Sequence, residues 1–106
     1  MKNEPWTREE EILAFNLYRK IPFQQVSKNH PDVIRVASLI GRSPSAVNMK
    51  IGNLASLDEN LVTQGVIGLS HTSKLDAQIW AEFKNRWDEL QIESEQIIAR
   101  LQAKNS

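Results

Sequence analysis

The stretch Gly41-Arg42-Ser43-Pro44 constrains this chain more than any other. A glycine after a helical run supplies the left-handed residue that ends a helix, and serine followed by proline supplies the cap and first residue of the next. Upstream, Asn29-His30-Pro31-Asp32 opens a helix, with Asn29 or His30 as cap and Pro31 at its first position; Val33, Val36, Ala37 and Ile40 then recur at helical spacing, with Leu39 flanking. Downstream, Val47, Ile51 and Leu54 recur on one face. Residues 31–54 therefore read as two short helices joined by a tight turn, a helix–turn–helix.

The flanking sequence extends the helical pattern. Thr7 and Glu10 form a capping box, Glu9–Glu11 sit where a helix dipole favours negative charge, and Arg19 and Lys20 sit where it favours positive charge. Leu13 and Leu17, with Ala14 and Tyr18 beside them, mark one core-facing stripe, and Pro22 stops the helix. Residues 23–30 are ambiguous; a short helical turn around 23–28 that buries Phe23 and Val26 is one expectation. Residues 55–72 have no clear period; they read as a loop packed over the core or as a short wing-like strand pair within 60–70, around Gly65.

Ser73 and Asp76 form a second capping box, which opens one long helix. Trp80, Phe83, Trp87, Leu90, Ser94, Ile97 and Leu101 alternate three and four apart, a heptad seam with one polar intrusion. Its first half reads as core. Its second half needs a covering helix from this domain, a second copy or a further domain.

The expected fold is all-α: a three-helix helix–turn–helix bundle in residues 1–72 with a trailing loop, and a long C-terminal helix in 73–106. That helix packs on the bundle and is expected either to mediate dimerisation or to link to another domain.

At 106 residues the chain can bury a core without staples, and with no cysteine it has neither disulfides nor thiolate zinc sites. No run of about 18 apolar residues spans a membrane, and the opening MKNEPW lacks the apolar stretch of a secretory signal. A soluble, cytoplasmic protein is expected. The net charge is zero, but its distribution is uneven: residues 21–56 carry Lys28, Arg35, Arg42 and Lys50 against Asp32 alone, and the acidic excess lies in 57–106. A mildly basic middle suits a modest nucleic-acid contact, and it also suits plain solvation.

With Val47, Ile51 and Leu54 inward, the second helix turns Ser45, Asn48, Met49 and Gly52 outward, flanked by Lys50 and Asn53. This outward face is short and mostly hydrogen-bonding. Asn can read adenine bidentately, Ser can bond bases or phosphates, and Met49 can meet a thymine methyl or simply lie on the surface. Arg42 and Lys50 are expected at phosphates, where they would set register rather than sequence.

Trp6-Thr7 followed by Glu9-Glu10-Glu11 and Leu17 resembles the W-S/T-x-x-E opening of Myb/SANT-type three-helix domains. The strings WTREEEILAFNLYRKIPF, NHPDVIRVASLIGRSPSAVNMKIGNLASLD and GLSHTSKLDAQIWAEF further resemble a bacterial region at the N-terminus of HNH-family, restriction-type endonucleases. That resemblance covers roughly residues 6–90 and implies double-stranded DNA as partner. Arg42, Ser43, Ser45, Asn48, Lys50 and Asn53 are then its DNA-facing set.

An HNH nuclease site needs clustered His, Asn and often Asp around a divalent metal. This chain has only His30 and His71, without a paired histidine, so it is expected to be non-catalytic, with no metal, cofactor or small-molecule substrate. His30 reads as a helix-entry residue and His71 as a loop residue. Trp6, Trp80 and Trp87 read as core rather than as base-stacking platforms. The alternative function is an all-helical interaction module, a homodimer paired through Trp87, Leu90, Ile97 and Leu101.

Overall fold

Local capping chemistry sets most of the helix boundaries. In a computed structural model, which describes residues 3–63 and 72–105, the Thr7 hydroxyl accepts from the Glu10 N–H at 3.2 Å and Glu10 Oε1 accepts from the Thr7 N–H at 3.1 Å. This reciprocal box starts α1, Arg8–Lys20. A single 3-10 turn, Phe23–Gln25, follows Pro22. His30 Nδ1 then accepts from the Asp32 N–H at 3.1 Å and starts α2, Pro31–Ile40. Gly41 takes φ 74°, the left-handed conformation that ends α2. The Ser43 hydroxyl caps α3, Pro44–Ala55, by accepting from the Ala46 N–H at 3.1 Å.

A short helix α4, Glu59–Thr63, occupies the start of the segment read as loop or wing. Its entry is tied to α1, because the Tyr18 hydroxyl donates to Asp58. The rest of the wing-like expectation, around Gly65, falls outside the described residues, as does His71. Ser73 and Asp76 form the expected second capping box and start α5, Lys74–Phe83; the last helix, α6, is Trp87–Asn105. The fold is all-α, with no strand among the described residues. No helix among them is long and apolar enough to cross a membrane.

Two expectations are corrected here. The long C-terminal helix is two helices, broken at Lys84–Arg86, where the Lys84 N–H bonds Trp80 O and the Arg86 N–H bonds Phe83 O. The turn lets both segments lie against α1. Asn85, a weak helix former, sits within it. The heptad spacing runs on across the turn, which hid the break.

The seam residues are also spent inside the chain. Leu90 and Ile97 belong to the buried core, with Trp87 and Leu101 packed against it. The covering helices are α1 and α2 of the same chain, so Leu90 and Ile97 are not free to pair two copies.

Helix α1 is the centre of the molecule, with α2, α3, α5 and α6 all against it. Instead of one buried stripe, every residue from Glu10 to Phe15 is buried. Phe15 stacks on Trp80 at 5.0 Å between centroids and meets Trp87 edge-on at 5.3 Å. The two tryptophans thus pack against the core, and full burial of a phenylalanine contributes on the order of 1.5–3 kcal/mol.

Candidate nucleic-acid interface

Helix α3 has two chemically different sides. Val47, Ile51 and Leu54 are fully buried, so the helix is held against α1 and α2 through one apolar face. Away from that face, Ser45 is exposed, Asn48, Gly52 and Asn53 are half-buried, and Met49 is 68% exposed. Ser45, Asn48, Met49 and Gly52 fall at helical spacing on one surface. A Cβ added at Gly52 would meet nothing within 4 Å. Packing therefore does not require glycine there, although glycine costs a helix interior about 1 kcal/mol relative to alanine.

Ser43 keeps its place at the N-terminus of α3, but its hydroxyl is engaged by the Ala46 N–H.

Arg42 and Lys50 depart from the phosphate-contacting positions expected of them. Arg42 is only 6% exposed. Its Nε and Nη2 donate to Glu10 Oε1 at 3.2 and 2.8 Å, and Nη2 also donates to the Pro5 carbonyl at 3.1 Å. Lys50 is 8% exposed and donates to Asp76 Oδ1 at 2.8 Å, with Glu11 Oε2 at 3.9 Å. Trp6 covers both cations: the guanidinium lies 4.6 Å and the ammonium 5.3 Å from its ring centroid. Trp6 therefore packs as a lid on buried charge.

Burial explains these contacts. A cation removed from water is tolerated only when paired and hydrogen-bonded. Glu10 serves twice, capping α1 and holding the Gly41–Ser43 turn through Arg42. Lys50 and Asp76 tie α3 to the N-terminus of α5. Neither carboxyl oxygen of Glu11 accepts a hydrogen bond among the described residues. Burial first, then the neighbouring Asp76 carboxylate, pushes the Glu11 carboxyl up to about 8, against the partial relief of Lys50. For Asp76, burial acts to raise its pKa, but the adjoining Glu11 carboxyl and the hydrogen bonds donated by Lys50 and the Ser73 N–H outweigh it and hold the group below the usual carboxylate range. Glu11 is thus the neutral acid and Asp76 the anion that balances Lys50.

Sequence reasoning missed this network. The one signal for it was a Glu9–Glu11 run that capping alone does not use up. The surface of α3 that remains is uncharged, and exposed cations such as Lys28 and Arg35 lie outside it. Among the described residues no cluster of three or more His, Cys, Asp or Glu side chains is arranged to hold a metal. No family model, curated protein or solved structure matches the chain.

Proposed function

We propose that this chain is a DNA-binding helix–turn–helix module whose α3 enters the major groove of double-stranded DNA. Following the resemblance to the N-terminal region of HNH restriction-type endonucleases, it would supply target recognition to such an enzyme and perform no cleavage itself. The observation that carries this reading is the outward side of α3. It is narrow and hydrogen-bonding, and it is bare at Gly52, where packing does not require glycine. A helix fits the major groove when its outer side chains are short enough for close approach, and Ser and Asn can bond base edges there.

Burial of Arg42 and Lys50 sharpens the expectation for phosphates. Each phosphate contact contributes about −0.9 to the slope of log affinity against log salt. Without these two cations the slope is shallow, and specificity rests on fit. A gel-shift panel of unmodified, 5-methylcytosine and N6-methyladenine duplexes at low salt tests the proposal. Retardation of at least one duplex, weakened as salt rises, is expected. No binding to any duplex at low salt would overturn it.

A further inference from the structure

We infer that Met49 is a specificity residue that reads the C5-methyl group of a pyrimidine in the major groove. This rests on the DNA-binding reading of α3 and adds the chemical class that its surface selects.

Met49 is the most exposed large hydrophobic side chain described, at 68%, against 46% for Ile34 and 55% for Ile92. It sits in the middle of the outward side, one turn after Ser45 and nearly one turn before Gly52. At Gly52, three residues on, no side chain stands beside Met49, and a Cβ there would meet nothing within 4 Å. An unbranched thioether with three rotatable bonds can adapt to a small apolar target. The apolar groups that DNA offers in the major groove are C5-methyl groups.

The adjacent Asn48 makes the assignment coherent. An A·T pair presents adenine N6 and N7 beside thymine O4 and the thymine methyl. Asn48 bonded to adenine would bring the neighbouring Met49 to the methyl of the same or the next base pair. 5-Methylcytosine carries the same methyl at the same place, so both bases offer the recognised chemistry.

The test begins with selection of preferred duplexes from a random-sequence pool by the full chain. Each thymine of the selected duplex is then replaced singly by deoxyuridine, and each cytosine by 5-methylcytosine. Loss of one methyl contact is expected to weaken binding about fourfold at one thymine, the worth of one buried methyl group; if cytosine occupies that position, methylation strengthens binding about fourfold. Met49→Ala, at an exposed site and checked for native circular dichroism, should bind the methylated and unmethylated duplexes equally. Unchanged affinity across every replacement, or undiminished methyl discrimination by Met49→Ala, overturns the inference while leaving DNA binding intact. Enrichment of no duplex at all overturns the DNA-binding reading beneath it.

Discussion

The two sides of α3 carry opposite kinds of polar chemistry. On one side Lys50, with Arg42 from the turn before it, is buried in ion pairs under Trp6. On the other, Ser45, Asn48, Met49 and Gly52 carry no charge and face outward. Arg42 and Lys50 therefore hold the helix in place, and the uncharged side is left to make contacts. Local positive charge in a sequence is not surface charge when acidic partners lie elsewhere in the chain.

The largest effect that would break this contrast is expected from Lys50→Ala. It leaves Asp76 buried and unpaired, a situation that costs about 3–5 kcal/mol, and urea denaturation should show it as a lowered midpoint. A cation serving only as a phosphate contact would leave the midpoint unchanged. Arg42→Ala should also lower the midpoint, because it removes the guanidinium bonds that tie the Gly41–Ser43 turn to Glu10 and Pro5.

The buried side should also respond to pH. The Glu11 carboxyl is raised to about 8 from an unfolded value of 4.5. The folded state therefore holds a proton that the unfolded chain has released, and stability from this group falls as pH rises from 4.5 to about 8. Glu11→Gln keeps a neutral donor opposite Asp76 and should flatten that fall, read as denaturation midpoints between pH 5 and 9. An unchanged slope would show that Glu11 is ionised in the fold.

On the outward side, Asn48→Ala should leave the denaturation midpoint nearly unchanged but alter which duplex is preferred, by about 1–3 kcal/mol of discrimination at one base pair. Gly52→Ala gives the smallest and most pointed effect. Nothing within 4 Å opposes the added methyl, so the fold should gain up to about 1 kcal/mol. Duplex binding should weaken, because the methyl occupies the bare surface. Gain of stability with unchanged binding would remove Gly52 from the interface.

Much of the architecture was legible in single residues. Thr7 with Glu10, His30 with Pro31, Ser43 with Pro44, and Ser73 with Asp76 started helices where their local chemistry required. The inward set Val47, Ile51 and Leu54, and the outward set around Met49, followed from helical spacing. The turn at Lys84–Arg86 was not legible, because the apolar spacing continues across it. The single stripe read on α1 missed that other helices surround it.

What the sequence alone determined was local: an all-α fold, most helix starts, the left-handed stop at Gly41 and the two sides of α3. These follow from interactions within one or two helical turns, which residue order already contains. The tertiary structure decided which charges reach water. Arg42 meets Glu10 across 32 residues and Lys50 meets Asp76 across 26. It also assigned the α6 seam to α1 and α2 of the same chain. Such pairings depend on how helices cross in space, and burial then makes them obligatory, because a cation in the core must find its counter-charge wherever the chain brings one.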